Sequence, residues 1–261
     1  MKISTWNVNS IKVRLPHLLQ WLAANPVDVM CLQETKLTDD KFPVSELNAI
    51  GYEVVFAGQK TYNGVAILSK LPITDVQRNN PLFDDPQQRI LAATIGGMRI
   101  VCAYVPNGQA VDSDKFVYKM AWLAALRDWL ARELAQHPQL AVLGDYNIAP
   151  EDRDVHDPVE WEGGVHVSPA ERAALGTLSA LGLQDAFRLF EQPEKSYSWW
   201  DYRMMGFRRN RGLRIDHILL SPALAAVCSA CIIDREPRKW EQPSDHTPVV
   251  ATLTPPAGAD L

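Results

Sequence analysis

Cysteine is scarce in this chain: Cys31, Cys102, Cys228 and Cys231 are the only four among 261 residues. Thiols this few and this unevenly placed cannot form a disulfide framework for such a length, so a reducing cytoplasm is expected. Cys228 and Cys231 make a lone CxxC. Zinc would ask for a second pair, and three residues apart on a strand the two side chains are expected to point to opposite faces, as inert thiols. Long apolar runs are missing too. The apolar block AWLAAL in the central helical region is far short of the roughly 18 to 20 residues a membrane span needs. The opening MKISTWNVNSI carries neither the apolar core of a signal peptide nor the Arg/Ser bias of a transit peptide, which again points to the cytoplasm. Positive charge is not in excess: 26 Lys and Arg face 31 Asp and Glu, a net charge of −5 with neutral histidines. That excludes coating nucleic acid or membrane by bulk attraction and leaves room for a local basic patch. No low-complexity linker or charge run breaks the chain. One domain over 1–255 is expected, with 256–261 as a frayed tail.

What is present is patterned for a mixed fold, and 47% apolar content excludes disorder. Strand-like runs fill the first hundred residues (KISTWNV, VDVMCLQ, YEVVFAG, GVAILS), and RILAATI and MRIVCAYV flank Gly96-Gly97 as a hairpin. Leu15, Leu18, Leu19 and Leu22 mark a helix between the first two strands. Phe116, Met120, Leu123, Leu126, Leu130 and Leu134 keep helical period from Asp112 to about Gln136, capped by Asp112 and Ser113 and stopped by His137-Pro138. QLAVLGDYNI reads as a buried strand, Ala149 to Val165 as a long loop, and Ser168-Pro169-Ala170-Glu171 as a capping box opening a helix to Gly182. SYSWWDY, LRIDHILLS, AAVCSACII and TPVVATL complete a second β half. The expected architecture is an α/β four-layer sandwich: two mixed β-sheets face to face, flanked by helices.

Polar residues gather where these strands end. Asn7 and Asn9 follow the first strand, Glu34 the second, Tyr104 and Asn107 the hairpin, and Asp145 and Asn147 the central strand. Asp216 lies in LRIDHILLS, and Asp245-His246 precede the last strand. Each alone reads as a turn former. Together they supply carboxylates, amides, a phenol and an imidazole, the inventory that holds a hard cation and cleaves a phosphodiester. His217, next to Asp216, should face the other way and pack. His17, His137, His156 and His166 read as solvated surface residues.

The motifs WNVNSIKVR, LQETKL, YNGVAILSK, YVPNG, LGDYNIAP, SWWDYR, NRGLRIDHILLS and SDHTPVV, in this order along nearly the whole chain, resemble the exonuclease III family of AP endonucleases, bacterial type. The resemblance implies a hydrolase dependent on Mg2+, with Mn2+ as a substitute, that cuts 5′ to abasic sites and trims 3′ ends of double-stranded DNA. It implies a metal held by Glu34 with Asn7 beside it, Asp245 close by and Asn9 in the outer shell. Asp145 with Asn147, set on one face of an extended chain, would position and activate the attacking water. His246 oriented by Asp216 is the alternative base or a cationic clamp on the phosphate, and Tyr104 and Asn107 would donate to the phosphate. Water is the expected nucleophile.

Trp199, Trp200, Tyr202 and Phe207 alternate with Arg203, Arg208, Arg209, Arg211 and Arg214, with no acid between Tyr202 and Ile215. Aromatics that wedge and arginines that grip phosphates suit DNA, with Trp200 the member expected in the core. The resemblance implies that Trp199, Leu213 and Ile215 line a pocket for a flipped abasic sugar, while Arg203 and Arg211 hold the strand. The NRGLRID wording implies appreciable exonuclease activity. The alternatives are a same-fold phosphatase acting on small or lipid phosphates and an inactive DNA-binding module. A monomer with weak affinity for undamaged DNA at moderate salt is expected.

Overall fold

Two six-stranded mixed sheets face each other in the computed structural model, which describes residues 1–254. The 256–261 tail lies outside the described residues. The first half runs β1 (Lys2–Asn7), α1 (Ile11–Ala24), β2 (Val29–Gln33), α2 (Val44–Ala49), β3 (Glu53–Ala57) and β4 (Val65–Ser69). Next come β5 (Ile73–Arg78), β6 (Ile90–Ile95), β7 (Met98–Tyr104), α3 (Asp114–Gln136) and β8 (Leu140–Asp145). The remainder is α4 (Pro158–Trp161), α5 (Pro169–Ser179), β9 (Gln184–Asp185), β10 (Trp199–Trp200), β11 (Gly212–Leu213), β12 (Asp216–Leu220), α6 (Pro222–Ala225), β13 (Cys228–Ile233) and β14 (Val249–Leu253). The sheets have the orders β13-β14-β1-β2-β4-β3 and β5-β6-β7-β8-β12-β9, and β10 pairs with β11 as a separate ribbon.

Parallel pairing occurs once in each sheet, β1 with β2 and β7 with β8. Parallel neighbours need a crossover, and α1 and α3 supply the two. Ser113 caps α3 by accepting from the Phe116 N–H, and Ser168 and Glu171 close the capping box of α5. The inner faces of the two sheets meet through Ile3, Val29, Cys31 and Ile67 on one side and Leu91, Ile100, Leu143 and Ile218 on the other. Trp21 and Leu22 of α1 cover the outer face of the first sheet, and Leu123, Leu126 and Leu178 of α3 and α5 cover that of the second. Four layers result, as expected from the order of strand-like runs and helices.

The hairpin between β6 and β7 turns on Gly96 and Gly97, both at positive φ. Gly144 has a different reason: a Cβ there would lie 1.8 Å from the Ala103 carbonyl oxygen, so only glycine lets β8 close on β7 just before Asp145.

Several local expectations fail. Cys228 and Cys231 pack against the same core rather than on opposite faces, because a register shift between Cys228 and Ala230 adds a residue to the strand. Both are free thiols. The 149–165 stretch is not all loop: it contains a 3-10 turn at Asp152–Asp154 and the short α4. SYSWWDY pairs only over Trp199 and Trp200. The exposed, bulged edge strand β5 has no apolar alternation to announce it. No helix among the described residues is long and apolar enough to cross a membrane.

Candidate active site

Inner-facing positions alternate with outer ones along each strand, so the last inner position of several strands falls at one end of the sandwich. Ile3, Thr5 and Asn7 follow one another on β1, as do Ile100, Cys102 and Tyr104 on β7. Ala141, Leu143 and Asp145 do the same on β8, and on β12, which runs the other way, Leu220 and Ile218 lead to Asp216. The sequence passes from apolar to polar at the same level in each. Strand register then sets neighbours: Tyr104 pairs with Asp145, and Asp145 with Asp216.

Asp216 accepts from Ser198 Oγ at 2.7 Å and takes His246 Nδ1 at 2.8 Å, leaving Nε2 3.6 Å from Asp145 Oδ2. The imidazole is therefore oriented by one carboxylate and aimed at another. Burial opposes its charged form, but Asp216 and then Asp145 outweigh that and raise its pKa. Burial likewise pushes the Asp145 carboxyl up, opposed by His246 and assisted by Asp216. Asn7 donates through Nδ2 to Asp145 at 2.9 Å and to Glu34 at 2.8 Å. Partial burial would raise Glu34, yet Lys36 at 3.0 Å and the Asn7 amide hold it below its ordinary value. Burial, with Glu34 and Asp145 close by, keeps the Tyr104 phenol well above the usual range, so it remains a proton donor.

Glu34, Asp145 and His246 each offer one donor atom within 4.8 Å of the others, the only such group among the described residues that could hold a metal ion. The backbone around this group is bent into uncommon shapes. Glu34 and Asn147 have left-handed φ of 52° and 50°, held by bonds from Ser10 N to Glu34 O and from Asn147 N to Asp145 Oδ1. This corrects one expectation: Asn147 does not reach the face of Asp145 along an extended chain. A turn folds it back, and its Oδ1 accepts from Asn107 Nδ2 at 3.4 Å.

The proposed ligands other than Glu34 are placed less directly. Asn7 has its Oδ1 committed to the Asn9 N–H. Asp245 accepts from Asn9 Nδ2 and Trp199 Nε1, both at 3.0 Å, and stands outside the trio. Asn9 accepts from Lys36 Nζ at 2.6 Å and holds that lysine beside Glu34.

Two clefts border this rim. One, of about 590 Å³, is lined by Tyr62, Arg89, Tyr104, Asn107, Lys115 and Tyr118. The other, of about 530 Å³, is lined by Trp161, Trp199, Arg203, Met204 and Arg211. Leu213 and Ile215 are fully buried beneath the second with Val155 and Val167, so Trp199 and Trp161 form its exposed apolar wall. Arg203 is 85% exposed and paired with Asp201, and Arg211 pairs with Glu160 at 2.6 Å. Arg214 is not available to DNA. It is 1% exposed and bridges Asp154 and Asp185 at 2.7 and 2.8 Å. Trp200 is in the core, as expected.

Residue types alone do not reveal two buried groups behind the site. His166 is not a surface residue: it is buried, with Nδ1 2.7 Å from the Asn147 carbonyl, and burial and Lys119 lower its pKa to about 4. Lys119 is fully buried against Glu171. The periodicity carried a signal for it, since Lys119 falls on the Phe116–Leu123–Leu126 stripe of α3, where a charge needs a partner.

Residues 4–246 match the endonuclease/exonuclease/phosphatase family. The chain belongs to this family. It is 36% identical to exodeoxyribonuclease III of Haemophilus influenzae, over 96% of this chain and 99% of that one. Among solved structures it is similar to a 3′ phosphatase from Neisseria bound to a product DNA hairpin, at 49% identity and a TM-score of 0.95 over 97% and 99% of the chains. It is also similar to an AP endonuclease from Archaeoglobus fulgidus, at 40% identity and a TM-score of 0.93 over the same shares. The four-layer family architecture is the one described above.

Proposed function

We propose that this chain is a Mg2+-dependent DNA repair phosphodiesterase, with Mn2+ as a substitute, that incises 5′ to abasic sites and trims 3′ ends, including 3′-phosphates. The observation that carries the reading is the buried line Asp216–His246–Asp145 next to Glu34, which puts more carboxylate than cation at an open rim. That surplus fits a hard divalent ion, which binds oxygen donors and retains waters for the substrate phosphate to displace. Glu34 would hold the ion, with Asn7 fixing its carboxylate and Asp245 acting from farther out. When bound, the metal supplies positive charge that stabilises the departing oxygen.

The chain's own groups do the rest. Asp145, its pKa raised and its orientation fixed by Asn7 and the Asn147 N–H, takes the proton from a water that attacks phosphorus. The bond to the 3′-oxygen breaks opposite that attack. His246, cationic because two carboxylates favour its proton, faces the non-bridging oxygens and gathers the phosphate. The Asn147 amide, the Asn107 amide and the Tyr104 hydroxyl donate to charge that grows as the transition state forms. Trp199, Trp161 and Arg203 would meet the sugar and backbone beside the reacting phosphate.

The test is a set of labelled duplexes carrying an abasic analogue, a 3′-phosphate or a plain recessed 3′ end, incubated with Mg2+ or with EDTA. Cleavage is expected only with metal. Failure to process any of the three would overturn the reading, and hydrolysis of inositol phosphates instead would favour the small-phosphate alternative. The products also rank abasic incision against 3′ trimming.

A further inference from the structure

Behind the Asn147 turn, α3 and α5 carry one oppositely charged pair into the apolar interior. Lys119 Nζ lies 2.5 Å from Glu171 Oε1, and neither side chain has exposed surface. A fully buried ammonium needs all its donors used, and the remaining bonds are informative. They go to the main-chain carbonyls of Asn107 at 3.1 Å and Asn147 at 2.7 Å, the two residues whose side-chain amides face each other at the rim. Glu171 completes the frame. Its Oε1 also accepts from the His166 N–H at 3.0 Å, and its Oε2 from Ser168 Oγ at 2.6 Å. Gly108, next to Asn107, has a positive φ and leaves no room for a Cβ, which would lie 2.9 Å from Lys119 Cδ, so the loop is moulded on this side chain.

We propose that Lys119, anchored by Glu171, is a positioning residue that clamps the Asn107 and Asn147 backbones and so sets the aim of both amides at the substrate phosphate. The pair touches no substrate. Burial requires that the two remaining donors find acceptors, and the acceptors they find are the carbonyls of the two loops that carry the rim amides. Asn147 sits in a left-handed turn just past the end of β8, where bonds to Asp145, Val105, His166 and Lys119 replace strand pairing. The inference rests on the reading of the rim as a phosphoester-hydrolysing site.

The test pairs kinetics with a spectrum. Lys119→Met alone would strand a buried carboxylate and endanger folding. The double variant Lys119→Met/Glu171→Gln removes both charges and both carbonyl contacts while keeping the packing volume close. Steady-state cleavage of a 3′-phosphate duplex should show kcat reduced about a hundredfold, the order of effect expected from misplacing a reacting group by an ångström, with KM nearly unchanged. In an Asn107→Ala/Asn147→Ala background the same pair of substitutions should change kcat less than about threefold, because the clamp then has neither amide left to aim. Equal losses in both backgrounds, or a change confined to KM, would overturn the proposal. A nitrogen-15 NMR spectrum of the side-chain amides, with Asn147 and Asn107 assigned, probes the clamp independently of turnover. Their resonances should shift or broaden in the double variant, and unchanged resonances would overturn the clamp. Absence of cleavage by the unmodified protein would instead count against the proposed activity.

Discussion

The molecule buries charge in two neighbouring places, and the two are built differently. Behind the 201–211 segment, Arg214 lies between Asp154 and Asp185, and Arg188 also bonds to Asp154, so two carboxylates meet two guanidinium groups. Burial and Arg214 lower the His217 pKa there. At the rim, Glu34, Asp145 and Asp216 surround the single buried cation of His246, with Lys36 reaching Glu34 from the half-exposed edge. The first cluster is electrically closed around the fully buried Arg214 and Asp154, with Arg188 and Asp185 partly exposed at its edge. The second has surplus negative charge and an opening, which is what a cation and a phosphate together would complete. Local balance of charge, more than burial, separates scaffold from site.

Substitutions can break this distinction. Asp145→Asn keeps the shape of the rim and should cost about 10³-fold in kcat, within the range for loss of a proton acceptor, with DNA binding retained in a mobility-shift assay. Arg214→Met should instead leave Asp185 without its cation and the buried Asp154 with Arg188 alone. About 3–5 kcal/mol of stability should disappear in urea denaturation, while the folded fraction keeps its turnover.

Acid sharpens the contrast. Burial would raise Asp154 and Asp185, yet Arg214 chiefly, with further cations, holds both below their ordinary values. Because their folded pKa values lie below the unfolded ones, the stability they contribute is fully present above roughly pH 4. It is lost as pH falls through the depressed folded values. Urea midpoints measured from pH 6 down to 2.5 should therefore fall in the unmodified protein, and less steeply in Arg214→Met.

The smallest effect belongs to the exposed arginine. Arg203→Ala should leave the denaturation midpoint essentially unchanged, as exposed pairs contribute little. It should weaken DNA binding and lower the slope of log K against log salt by about 0.9.

The strand-end residues are legible in the sequence because alternation in β1, β7, β8 and β12 fixes which side chains face inward, and a polar residue ending an inner row stands out. The bulge that brings Cys228 and Cys231 to one side is not legible, since one added residue leaves no compositional mark. Residue type groups Arg214 with the arginines expected to meet DNA, as its partners Asp154 and Asp185 lie 60 and 29 positions earlier in the chain and only the fold brings them together. The Ser168–Glu171 capping box is visible, but the second duty of Glu171 is not: one carboxylate serves a helix terminus and a lysine 52 residues away. The turn at Asn147 shows the same limit. Residue type points to the amide, while the left-handed backbone that aims it depends on contacts from three other segments.

The most direct test of charge balance as the divide between scaffold and site compares single-turnover cleavage of one 3′-phosphate duplex by Asp145→Asn and Arg214→Met, in Mg2+ and normalised to the folded fraction. Loss is predicted in Asp145→Asn alone, with Arg214→Met close to the unmodified rate. Equal loss in both, or full turnover by Asp145→Asn, would contradict it.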